Sequence, residues 1–236
     1  MVLEHKYLLA NLLGLLPLGI VLLLARRLRN TAILCGAILS LYSPPVAWLY
    51  ERVYWTPGHI FGGGWGVEDV LFCFHAGVMS WLCALGPWGD KVHICPVATV
   101  AVRRLLLVTL FATIVLTCLL AFGFTVILAF LLTQTISTAV LIIMRPSYMR
   151  LIASGPPLFT GYYFLLLGLW RLLMPGFMDM WNGTELTGAQ FLGAPVEEYL
   201  WVLSFCTGFP ITMAFALDAR VIDRSSTFMR EASDEL

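Results

Sequence analysis

Four carboxylates stand where a carboxylate is costly. Glu68 and Asp69 open one long apolar stretch, and Glu197 and Glu198 open another. Acidic side chains at or inside hydrocarbon are expensive and tend to mark function. A carboxyl group in an apolar place has its pKa raised and can stay protonated at neutral pH, and two neighbouring carboxyls share one proton between them. Such a set offers both an acid and a base. Helix capping is the competing reading: acids in a first turn are stabilised by the helix dipole, and Pro195 suits the start of a helix. The recurrence of the pair at matching places favours chemistry.

Adjacent helical residues point about 100° apart, so one member of each pair can face a bundle interior while the other faces a neighbour or loop. Phe72 and His75 follow Glu68 at i+4 and i+7, and Trp201 and Ser204 follow Glu197 in the same way. Tyr54, Trp55 and Trp65 lie in the loop before the first pair. Desolvated aromatic faces stabilise a cation by about 0.5–2 kcal/mol each. Each of these aromatics also suits a membrane-interface belt or ordinary packing, and a lone mid-helix histidine such as His75 suits a hydrogen-bonded packing role. Arg171, near a helix end, can snorkel or pair with an acid at that surface.

The elements that must position these groups are membrane helices. The chain has 236 residues, of which 60% are hydrophobic and 12% charged. A soluble domain needs more polar surface than that. A disordered chain is excluded, and so is a nucleic-acid binder working through a basic face. Lys+Arg and Asp+Glu are both 14, so net charge says nothing about partners. Six cysteines lie scattered, mostly in apolar runs, without a C-x-x-C pair. The first apolar run lacks a cleavage pattern and is expected to be retained.

A spanning helix takes about 20 residues, and the apolar runs predict seven, near 7–25, 31–50, 67–87, 104–122, 125–144, 156–174 and 195–217. The uncharged stretch from Leu105 to Met144 is divided at Gly123. With the N-terminus on one side, Lys6, Arg52 and Arg171 fall there. Arg26, Arg27, Arg29, Lys91, Arg103, Arg104, Arg145, Arg150, Arg220, Arg224 and Arg230 fall on the other. Three basic residues against eleven put the N-terminus outside and the C-terminus in the cytosol.

The order helix, basic loop, helix, aromatic-Gly loop, acid-headed helix occurs twice. Glu68 and Glu197 are 129 residues apart, and Glu51 and Asp179 precede them by 17 and 18. The expected fold is therefore an all-α integral membrane protein with seven transmembrane helices in a 3+1+3 parallel tandem repeat. Residues 1–90 form the first three-helix repeat, 91–123 the linker helix, 124–220 the second repeat, and 221–236 a polar cytosolic tail. Both acidic pairs then sit at one depth, at the outer ends of the third and seventh helices.

The run Ala194-Pro195-Val196-Glu197-Glu198, followed by Tyr199-Leu200-Trp201, resembles the repeated apolar-Pro-apolar-Glu-Glu motif of the small membrane lycopene cyclases of bacteria, archaea and fungi. The stretch Glu51 to Gly62, with Trp55, Pro57 and Gly62, is similar to that family's aromatic-Pro-Gly loop. The resemblance covers about 5–220. The first copy departs from it, with Gly66 for proline and Asp69 for the second Glu. The resemblance implies cyclisation of a linear polyene end group inside the membrane. A proton is added to a terminal alkene, the next alkene attacks the cation, and a neighbouring proton is lost. That chemistry needs no cofactor and no metal. It implies Glu197 as proton donor, Glu198 as its partner or the base, and Glu68 and Asp69 for matching work in the other repeat. Tyr54, Trp55, Trp65, Phe72, His75 and Trp201 would contact the substrate. The partners expected are a long-chain polyene or isoprenoid drawn from the bilayer and membrane lipid, with an oligomer compatible with the sequence and no nucleic acid.

Two readings compete. A cyclase of a different prenyl or terpenoid chain would use the same acids. A small-solute transporter could share the 3+1+3 plan, but no Pro-Gln dipeptide occurs, and helix-borne polar residues are few, chiefly Gln134 and nearby threonines. A retinal protein needs a lysine in its last helix, and the only lysines are Lys6 and Lys91. Gly62-Gly63-Gly64 precedes a spanning helix and makes no dinucleotide fingerprint. Asn182-Gly183-Thr184 is a glycosylation sequon, relevant only in a eukaryotic host.

Overall fold

The structure is a computed structural model that describes residues 3–51 and 53–222, with side chains from Lys6 onward. Arg52, Arg224 and Arg230, and all but the first two residues of the expected tail 221–236, lie outside the described residues. The helices are α1 (Leu3–Leu24), α2 (Arg29–Leu41), α3 (Ser43–Tyr50), α4 (Val67–Leu85), α5 (Ala98–Ala121), α6 (Val126–Met144), α7 (Met149–Leu173) and α8 (Val196–Leu217). Among the described residues, six helical segments are long and apolar enough to cross a membrane. α2 and α3 together pass the same test but are bent by 48°. The chain is thus an all-α, multi-pass membrane protein.

Three boundaries differ from those expected. The second helix breaks at Tyr42, because Pro44 and Pro45 in the first turn of α3 supply no N–H and crowd the preceding turn. α5 starts at Ala98 rather than 104, so Arg103 and Arg104 lie within the helix, near its end, where long basic side chains can reach out. α7 starts at Met149 rather than 156 and carries Pro156 and Pro157 inside it.

α4 and α8 are the central helices. α4 packs on α1, α2, α7 and α8, and α8 also on α5, α6 and α7. The α2–α4 contact is backbone-close. A Cβ on Gly77 would lie 2.9 Å from the Gly36 Cα and 3.0 Å from the Cys35 carbonyl oxygen. Small residues of this kind let membrane helices approach where no hydrophobic force drives them together. α5, by contrast, has no buried residue.

Beyond the C-terminal ends of α4 and α8, β1 (Val92–Ile94) pairs antiparallel with β4 (Ala219–Val221). Beside this clasp Asp218 accepts from Arg145 at 2.5 Å, Arg220 at 3.0 Å and Arg104 at 3.4 Å. The Arg145 hydrogen bond, with help from Arg220, holds the Asp218 carboxyl below the usual carboxylate range. Several of the basic residues expected on one side therefore converge on one acid.

At the other end the two long loops interlock. Thr56 N donates to the Met180 carbonyl at 2.7 Å, Glu185 N to Val53 at 2.9 Å, and Gly183 N to Tyr54 at 3.2 Å. The Glu185 carboxylate accepts from Val126 N at 3.0 Å and Ile127 N at 2.9 Å, capping α6 where the helix dipole favours an anion. β2 (Gln190–Phe191) and β3 (Ala194–Pro195) form a small hairpin just before α8. Arg171 donates to the Leu192 carbonyl at 3.1 Å rather than to an acid.

Candidate active site

Each acidic pair opens its helix, and its two members part company. The first members turn outward to their own loops. Glu68 Oε1 accepts from Ile60 N at 3.0 Å, and Glu197 Oε1 accepts from Thr187 N at 2.8 Å and the Thr187 hydroxyl at 2.6 Å. Neither lines the cavity described below, and each has its other oxygen buried without a partner. The second members turn inward. Asp69 and Glu198, 4% and 1% exposed, both line a single cavity of about 530 Å³. That volume lies within the ~300–1,000 Å³ common for small-molecule sites.

Glu198 is surrounded by donors. Tyr163 O–H donates to Oε1, and Tyr54 O–H and Trp181 Nε1–H donate to Oε2, the last at 2.7 Å. Burial, and then the charge of Glu198, push the Tyr54 phenol well above its usual range, so it remains a donor. Asp69 is held by a different set. Tyr7 O–H donates to Oδ1 at 3.0 Å, Gly66 N–H to Oδ2 at 2.8 Å, and His59 Nε2 lies 2.7 Å from Oδ2.

The histidine brings a proton. Its Nδ1 lies 3.2 Å from the Gly63 carbonyl oxygen, which can only accept, so Nδ1 is the donor. Nε2 must then either carry a second proton or accept one from Asp69. In both states one transferable proton sits between His59 and Asp69. Burial pulls His59 down, but the Asp69 hydrogen bond and charge, the Glu68 charge and the Gly63 carbonyl together outweigh it and raise its pKa.

The departures from the motif in the first copy form one unit. Proline at position 66 would remove the N–H that Asp69 accepts, and any Cβ there would collide with the Glu68 carboxylate and meet His59 Cδ2 at 2.9 Å. Asp69, one methylene shorter than Glu, reaches back to cap its own helix.

Of the other residues expected at the site, Tyr54, Trp55, Phe72 and Trp201 line the cavity. Phe72 and Trp201 lie 6.0 Å apart between ring centroids, and Trp55 and Trp181 lie 5.6 Å apart. Trp65 does not line it and is 49% exposed in the loop. His75 does not line it either; its Nε2 is hydrogen-bonded to the Tyr162 hydroxyl. Phe72 and Trp201 belong to the face of the second acid, at i+3, rather than to that of the first at i+4. Four contributors were not singled out as site residues from the sequence: Tyr7, His59, Tyr163 and Trp181. His59 alone had a signal, a histidine ten residues before Asp69 in a glycine-rich loop. Among the described residues no group of three or more His, Cys, Asp or Glu side chains could hold a metal ion.

Apolar spanning helices around an internal cavity headed by buried carboxylates define a multi-pass membrane protein with a buried acidic site at one end of the bundle. Residues 126–216 match the model of the lycopene cyclase family. The matched stretch runs from α6 nearly to the end of α8 and contains Glu197, Glu198 and Trp201, so this part of the chain is similar to the lycopene cyclase family, and the match supports a carotenoid cyclase function in general terms. No curated protein and no solved structure matches the chain.

Proposed function

We propose that the protein closes rings on the end groups of linear isoprenoid polyenes, lycopene being the reference substrate, by non-redox acid–base isomerisation in one composite site. The observation that carries this reading is that Asp69 and Glu198, from the two separate acidic pairs, line one apolar cavity. The His59–Asp69 pair serves as acid, delivering its shared proton to the terminal alkene. The next alkene attacks the resulting cation and forms the ring bond. Glu198, oriented by Tyr54, Tyr163 and Trp181, takes up the proton lost from the neighbouring carbon. The faces of Trp55, Phe72 and Trp201 sit where they can stabilise the cation and exclude water. Glu68 and Glu197 are read as anchors of the loops.

The same reading has seven spans, α2 and α3 forming one, in a 3+1+3 parallel repeat with α5 as linker, the N-terminus outside and the C-terminus cytosolic. The β1–β4 pairing supports it, since it joins the segments after the third and seventh spans on one side. The test is expression in cells that accumulate lycopene, with pigments resolved by chromatography. Loss of lycopene with a new cyclic carotene is expected from the native chain and not from Glu198→Gln or Asp69→Asn. Cyclic product from either variant at the native rate would refute the assignment.

A further inference from the structure

The far part of the same cavity is not purely hydrocarbon in character. Ser43, Thr133 and Ser137 line it, are 1%, 6% and 8% exposed, and have no hydrogen-bond partner for their hydroxyl oxygens. Each hydroxyl can both donate and accept, and a buried hydroxyl left unpaired is costly. Their depth follows from helix rise. α6 starts at the carboxylate end, where Glu185 caps it, so at 1.5 Å per residue Thr133 lies about 10 Å and Ser137 about 16 Å further in. Ser43 begins α3, which climbs to Tyr50 at the mouth, and so lies about 10 Å below it. Gln134, which also lines the cavity, accepts from Ser204 at 3.0 Å, and Ser204 is six residues, about 9 Å, below Glu198. Ser43, Thr133, Gln134 and Ser137, polar residues of helices whose lining is otherwise largely apolar, thus share the deeper part of one cavity as a polar band.

We propose that this band recognises a neutral oxygen, a hydroxyl or a carbonyl, carried on the prenyl skeleton roughly 10–16 Å from the reacting alkene. The proposal rests on the cyclase reading and deepens it: among prenyl chains that the cavity takes, an oxygen-bearing one is held more tightly than the bare hydrocarbon of the same skeleton. With carbon–carbon bonds of about 1.5 Å, that span corresponds to roughly two to three isoprene units.

Binding tests it independently of turnover. Trp55, Trp181 and Trp201 line the cavity, so their fluorescence reports occupancy. The detergent-solubilised full chain is titrated with farnesol, with farnesal, and with the C15 hydrocarbon of the same skeleton. Native protein is expected to bind the oxygenated chains about 10-fold more tightly than the hydrocarbon. Thr133→Val with Ser137→Ala should bring that ratio close to one. Farnesal alone losing its advantage would point to the hydroxyl form. Equal affinity of native protein for all three chains would overturn the proposal whatever the variants do, as would an unchanged ratio in a folded double variant or no quenching by any chain. Cyclic carotene from lycopene in cells is read separately, so a cyclase without oxygen preference is distinguishable from a protein that is no cyclase.

Discussion

Phe72 and Trp201 face each other at 6.0 Å between ring centroids, and each lies three residues after a carboxylate of the cavity. Two helices that start with an acid pair thus bring matching aromatic faces together one turn below. A cation formed between Asp69 and Glu198 would meet these rings and those of Trp55 and Trp181. Trp201→Leu is expected to lower kcat by about 10-fold, the equivalent of roughly 1–2 kcal/mol of cation stabilisation. Trp65→Leu, in the exposed loop, should leave kcat within twofold. Product formation per folded protein in membranes checks both.

The two members of the second acid pair should separate cleanly. Glu198→Gln is expected to reduce cyclisation by at least about 10²-fold, the usual range for general acid–base groups. Glu197→Gln keeps an acceptor for Thr187 N–H and should retain turnover within a few-fold while lowering thermal stability. Equal losses in the two variants would contradict the division between cavity-facing and loop-facing acids.

His59 makes the acid limb pH-dependent. Its folded pKa is raised, so the proton it shares with Asp69 is present at low pH and is lost as pH rises through that folded value, above the ordinary ~6.5. Cyclisation is expected to decline over that alkaline interval, and the contribution of the pair to stability is lost in the same direction. His59→Gln should cut kcat and abolish the alkaline limb. A pH–rate profile in detergent decides it.

Restoring the motif in the first copy should be harmful one residue at a time. Gly66→Pro removes the N–H that Asp69 accepts at 2.8 Å, a hydrogen bond to a carboxylate worth about 1.5–3 kcal/mol. Its melting temperature should fall by several degrees. Adding Asp69→Glu, which no longer relies on that N–H, is expected to recover part of the loss.

The α2–α4 seam offers a test of the fold alone. A side chain at Gly77 would press on Gly36 and the Cys35 carbonyl, both backbone. Gly77→Val should abolish or severely reduce folded protein, whereas a valine at Gly161, which has open space around it, should be tolerated. Size-exclusion chromatography of the detergent extract reads both.

The helices and the acid pairs were legible in the sequence because hydropathy and spacing are local properties. Which acid of each pair faces inward was not, since residues 100° apart on a helix are separated only by what packs around them. Glu197 and Glu198 read alike until Thr187 claims one and Tyr54, Tyr163 and Trp181 claim the other. Tyr7 and Tyr163 reach the carboxylates from α1 and α7, and no local pattern marks a phenol as a partner 62 or 35 residues away. The start of α5 was missed because Arg103 and Arg104 resemble a loop, although Arg104 bonds to the Phe215 carbonyl and Asp218 near the end of α8. The break at Tyr42 was readable from Pro44 and Pro45, which the apolar run masked.

The strand pair Val92–Ile94 with Ala219–Val221 joins α4 and α8 at the ends opposite their carboxylates. α4 ends at Leu85, 16 residues or about 24 Å along the helix from Asp69, and the joint lies beyond that end. The loops that precede the same two helices interlock at the carboxylate end, through Thr56 with Met180 and Val53 with Glu185. The two helices that carry Asp69 and Glu198 are therefore fastened to each other at both ends, and the gap between the two carboxylates is set by a closed frame rather than by either helix alone.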